Sequence, residues 1–159
     1  MSHNINGFIA SSAYLTVAAR TLRHARVCPL KLDFAFLPLT SDIASPDDST
    51  TKYKQLIQLT QPMVDWAEEQ SKRFPIVYIE TEYFGGTGGQ SALVWQGGTV
   101  LFGPVQTGDS VALLDSAINV AVRHLGVKRG KSIDEFAALG LDCYRDNDDW
   151  LAAVGEPSA

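Results

Sequence analysis

The most continuous β-branched and aromatic run in the chain is Ile76-Val-Tyr-Ile-Glu-Thr-Glu-Tyr-Phe84, which predicts a strand. Gly85-Gly-Thr-Gly-Gly89 follows, and glycine takes positive φ at little cost, so the chain is expected to turn there. Gln90 to Trp95 returns as a second strand, Gly97-Gly98 turns again, and Thr99 to Phe102 makes a third. The expected unit is an antiparallel β-meander over about 76–103. Near the start, Gly7 to Ser11 predicts a short strand. Ser11 or Ser12 then caps a helix with Leu15, Ala18, Leu22 and Ala25 at three- and four-residue spacing. A single long strand over 7–19 is the competing assignment. Pro29 closes this unit and Leu32 to Leu37 predicts another strand, giving a β-α-β-like opening.

Between these units, residues 40–51 crowd Thr, Ser, Asp and Pro into a loop, and Lys52 to Leu59 is expected to form a short helix. Thr60 followed by Pro62 predicts a helix start; Met63, Trp66, Ala67 and Gln70 form its inner stripe and Pro75 stops it. After Ser110, the positions Leu113, Leu114, Ala117, Ile118, Ala121, Val122 and Leu125 predict an amphipathic helix ending at Gly126. Ser132 is expected to cap a short helix at Asp134 to Leu139, and Trp150 and Leu151 mark a last amphipathic turn. Helices and strands occur without regular alternation, so the fold class is α+β, in one domain over 1–159 with frayed tails at 1–6 and 155–159.

Composition narrows the function classes. The chain has 159 residues, 45% of them hydrophobic and 19% charged, a globular balance with enough length for a real core. A formal charge of −5 repels a phosphate backbone, so nucleic acid is not an expected partner. Cys28 and Cys143 are far apart and lack the spacings of a zinc site, which leaves two reduced thiols. The apolar stretch Phe8 to Ala19 is too short to span a bilayer, and only His3 precedes it where a signal peptide needs a basic segment. No membrane partner is expected, and the cytoplasm is the default compartment.

Each stretch that resembles a catalytic motif lacks an essential part. Gly126-Val-Lys-Arg-Gly130-Lys131-Ser132 has three residues between its glycines where a P-loop needs four, and follows a helix rather than a strand. Ser91 lacks the second glycine of a nucleophile elbow, and His124 sits late on a helix. Asp146-Asn-Asp148-Asp149 begins like a calcium loop, but Leu151 and Pro157 occupy its glycine and glutamate positions, so a helix N-terminus or an exposed docking surface fits better. Glu80 and Glu82 share one strand face with Tyr78 and Phe84. Paired carboxylates suit acid–base work or a metal, yet no third ligand lies at short spacing. No catalytic residue, metal ligand or cofactor is assigned.

One set of segments is distinctive: Glu82-Tyr-Phe-Gly-Gly86, Gln90-Ser-Ala92, Trp95, Gly103-Pro104, Leu125-Gly-Val127, Asp134-Glu-Phe136, Leu139-Gly-Leu141 and Asp149-Trp150. Together they resemble a family of small, largely uncharacterised bacterial proteins, with a link to immunity functions in toxin systems. That resemblance covers the C-terminal half. Beside it, the negative charge, the single domain, the lack of a coherent catalytic constellation and the acidic segments at Glu80/Glu82 and Asp146–Asp149 lead to the expectation of a non-enzymatic binding protein. The expected form is an immunity protein that occludes a cognate toxin, with a protein partner: a basic toxin domain or a second copy. The candidate contact residues are Glu80, Glu82, Tyr83, Phe84, Gly85, Gly86, Gln90, Ser91, Asp146, Asp148 and Asp149. Two other outcomes are a small enzyme or ligand-binding domain with a pocket near Gly85–Gly89, and a scaffold that oligomerises through an exposed strand at Thr99–Phe102.

Overall fold

The computed structural model describes residues 2–155 apart from 41, 44–52, 54–55, 57 and 85–86. Most of the expected 40–51 loop and of the short helix expected at Lys52 to Leu59 therefore lies outside the described residues. Six strands form one antiparallel sheet: β1 Asn6–Ser11, β2 Cys28–Pro29, β3 Phe34–Pro38, β4 Ile76–Phe84, β5 Thr87–Gln96 and β6 Thr99–Gly108. Their order is β2-β3-β1-β4-β5-β6, so β1 is central and pairs antiparallel with both β3 and β4. The fold is α+β, and the β4–β5–β6 meander is its largest continuous unit.

Side-chain parity sorts the sheet into two cores. Phe8, Tyr78, Leu93 and Trp95 face α1 (Ser12–Ala18) and α2 (Gln61–Gln70). Ile9, Val77, Ile79 and Val94 face α3 (Ala117–Arg123), α4 (Glu135–Leu139) and α5 (Asn147–Val154). Phe8, Ile9, Tyr78, Ile79 and Trp95 are wholly buried. Each such side chain contributes roughly 1.5–3 kcal/mol of transfer free energy. The outer edge of the meander is β6, and Pro104, which has no N–H to offer, stands within that strand.

Local details depart from the sequence pattern in five places, the first at β3, which starts at Phe34 after a turn where Leu32 and Asp33 take positive φ. The first helix stops at Ala18 and closes through a 3-10 turn at Ala19–Thr21; Leu22 and Ala25 still pack on the core, but from outside the helix. The competing strand over 7–19 does not form. The third strand runs on to Gly108 rather than ending at Phe102. Leu113 and Leu114 are not in α3: they lie in a separate 3-10 turn, half exposed, and the chain enters α3 only after Ser116. Asp134, not Ser132, caps α4, its carboxylate accepting the Ala137 N–H at 2.8 Å.

A buried amide ties these last pieces together. Asn119 on α3 is 1% exposed; its Nδ2 donates to the Leu113 carbonyl at 2.8 Å and to the Asp134 carboxylate at 3.1 Å. Its Oδ1 accepts the Phe136 N–H at 2.9 Å. Arg123 adds a paired contact to the buried Glu135 at 2.9 and 3.2 Å, and holds that carboxyl below its usual range. Replacing Asn119 by alanine strands a buried N–H and a buried carboxylate. Urea unfolding of Asn119→Ala is expected to show a loss of about 2–4 kcal/mol.

Candidate functional site

Helical cover of the sheet ends before its strands do. Past Tyr78, the next positions on the same face of β4 are Glu80, Glu82 and Phe84. The facing positions on β5 and β6 include Gly89, Ser91 and Gln106. Together with Gln58 from the segment before α2, they line a partly open groove of about 360 Å³. It lies beside the expected glycine turn. Glu80, Glu82, Phe84 and Ser91 deliver their side chains from the predicted set, and Gly88 falls within the expected Gly85–Gly89 pocket, whereas Gln58 and Gln106 were not foreseen.

The two glutamates differ sharply. Glu80 is 8% exposed, and its Oε2 accepts from the Tyr78 hydroxyl at 2.6 Å and from the Gln58 N–H at 3.1 Å. Burial, and then the neighbouring Glu80 charge, raise the Tyr78 phenol well above its ordinary range, so it stays protonated and donating. Asn6 Nδ2 donates to the same hydroxyl at 3.5 Å, and Asn147 at the start of α5 binds the Asn6 side chain at 2.9 Å. Glu82 is exposed and makes no side-chain hydrogen bond or ion pair with any described residue. The paired carboxylates expected on one face therefore divide into a structural group and an unengaged one.

Tyr83 and Gln90 do not point into the groove. Alternation sends both to the opposite face, where Gln90 Nε2 donates to the Tyr83 hydroxyl at 3.0 Å and Gln90 Oε1 accepts the Ile118 N–H at 2.7 Å. These contacts seat the start of α3 on the sheet. Asp146, Asp148 and Asp149 also stay outside the groove, at the N-terminus of α5, where Asp146 accepts the Asp149 N–H at 2.8 Å. They are exposed near the same end of the sheet, because Asn4 bridges to Asp146 and His3 to Tyr83. Gly85 and Gly86 lie outside the described residues. Ser91 and His124 cannot join in a triad, since His124 follows α3 on the other side of the sheet, against Phe102.

Gly88 has a packing reason. Pairing continues out to Phe84 and Thr87, so Thr87, Gly88 and Gly89 belong to β5 and not to a loose tip. At Gly88, φ is +150°, and an added Cβ would stand 1.9 Å from the Glu82 carbonyl oxygen.

The described residues before β1, within the stretch expected to fray over 1–6, bond to the sheet. His3 exchanges backbone hydrogen bonds with Tyr83, both 2.9 Å, and Ile5 is fully buried. The Leu141 carbonyl, 3.4 Å from His3 Nε2, can only accept, so the proton sits on Nε2. Nδ1 then accepts from the Thr81 hydroxyl at 2.8 Å, and Thr81 Oγ1 in turn accepts the Ile5 N–H at 2.9 Å. Burial lowers the His3 pKa below its ordinary 6.5.

Comparison of the chain with protein-family models, curated proteins and solved structures finds no match in any of the three. Among the described residues, no group of three or more His, Cys, Asp or Glu side chains is placed to hold a metal, and no helix is long and apolar enough to cross a membrane.

Gly88→Ala is expected to lower stability by about 1–3 kcal/mol in urea denaturation, with the largest amide shifts at Glu82 and Tyr83. The His3 effect has a definite sign. Because its folded pKa is lowered, the folded state takes up fewer protons than the unfolded state below about pH 6.5. Stability should therefore fall as pH drops from 7 toward 5.5, above the carboxylate range, and His3→Asn should flatten that slope.

Proposed function

We propose that the chain is a non-enzymatic binding protein of the immunity type, which neutralises a basic toxin domain by covering it. The observation that carries this is the open groove at the acidic end of the sheet. Its described lining includes Glu80 and Glu82 and no lysine, arginine or histidine. Exposed Asp109 stands beside it, its carboxylate 3.4 Å from the Gly88 N–H, and Asp146, Asp148 and Asp149 are exposed at the same end. Clustered carboxylates of this kind accelerate encounter with a basic partner and discriminate against acidic ones. A groove of this size also suits a small ligand, at the lower end of the usual range, which keeps ligand binding as the second reading.

The test is co-expression with the product of an adjacent gene, followed by size-exclusion chromatography and association kinetics. The expected result is a stoichiometric complex whose association rate falls about tenfold from low to physiological salt. Reversing charge at Asp148 and Asp149 should lower that rate, with only a small fall in the thermal midpoint from their place in the first turn of α5. A neighbouring product that is an enzyme, does not bind, and whose substrate shifts the groove resonances would replace the toxin reading with the ligand one.

A further inference from the structure

We propose that the groove is an arginine-binding site, taking the guanidinium of one arginine side chain presented by the protein partner. The proposal rests on the docking function above and gives that surface its chemical selectivity.

Three groups at the groove lack partners among the described residues. The Ser91 side chain lines it, the residue is only 4% exposed, and its hydroxyl makes no hydrogen bond. That hydroxyl still reaches the open space of the groove, where water or an occupant can bond it. Glu82 presents a free carboxylate, and Gln106, on the far side of β5 in the row of Glu80 and Ser91, an unengaged amide. The fourth element is Phe84, two residues beyond Glu82 on the same face and 56% exposed.

An occupant must therefore supply several donors in different directions, carry positive charge and offer a flat surface to a ring. A guanidinium does all three. It has five N–H donors in a planar fork, binds carboxylates in pairs and stacks on aromatic faces. An ammonium matches the carboxylate but brings no plane to lay on Phe84. An apolar side chain leaves Glu82 and Ser91 unmatched, and a phosphate meets two carboxylates with no base among the described lining residues. Glu80 lies deeper and is already engaged, by Tyr78 and Gln58 among others, so Glu82 makes the contact.

The experiment is an NMR titration of the full chain at low ionic strength with the peptide acetyl-Gly-Arg-Gly-amide. Its lysine counterpart serves as the control. Saturable shifts are expected at Glu82, Gly89, Ser91 and Gln106, with the lysine peptide about threefold weaker or worse. Glu82→Gln and Phe84→Ala, both at exposed positions, should each weaken the arginine peptide about fivefold. Glu69→Gln on the outer face of α2 should leave it unchanged. Equal binding of the two peptides, shifts centred on Asp146–Asp149, linear shifts without saturation, or an unaltered response in Glu82→Gln would each overturn the assignment. A partner complex that forms but survives Glu82→Gln at full strength overturns the arginine site and leaves the docking function standing. Peptide binding in a chain that captures no protein partner does the reverse.

Discussion

From Ile76 to Ile79, β4 is shut away from water on both faces, and the other layers take their places from it. A doubly covered strand must satisfy every backbone N–H and C=O laterally, which requires a neighbour on each side. β1 supplies one and β5 the other. Its alternate side chains then divide the helices: Ile76 and Tyr78 call for α1 and α2, Val77 and Ile79 for the C-terminal three. Neither helical layer could be stripped without exposing half of this strand.

The groove is the counterpart of that burial. Where β4 outruns its helices, the same alternation that delivered Tyr78 to the core delivers Glu80, Glu82 and Phe84 to an open face. Tyr78 and Glu80 share a hydrogen bond across that boundary, so the last apolar layer and the first polar one are mechanically joined. Asn6 and Asn147 extend the connection to the start of α5, whose acidic first turn shares this end of the molecule.

Much of this was legible in the chain. Period-two parity placed Tyr78, Glu80, Glu82 and Phe84 on one face, and the three strands of the meander follow from β-branched runs and glycine pairs. Other features depend on distant segments and leave no local trace. Period alone does not say which glutamate is buried; the Tyr78 hydroxyl and a backbone N–H at Gln58 both hold Glu80. Leu113 and Leu114 continue an apolar helical spacing, yet Asn119 draws the Leu113 carbonyl into a tight turn and the helix begins later. His3 looked like tail because its neighbours are polar, although His3, Ile5, Gly7 and Ile9 already alternate as a strand would. Thr81 gave no sign of its role, since a threonine hydroxyl declares nothing until it has partners.

The position of β1 has a consequence for how the chain reaches this state. It leaves the ribosome before β4 exists, yet it is the strand that β3 and β4 flank. The β4–β5–β6 meander closes short loops and assembles from its own sequence, whereas Phe8 must await Tyr78. Until then, the nascent N-terminal segment offers an apolar edge with unmet hydrogen bonds, the form most prone to pairing with the wrong neighbour. Docking of the meander onto β1 is thus what joins the two parts of the sheet and covers that edge.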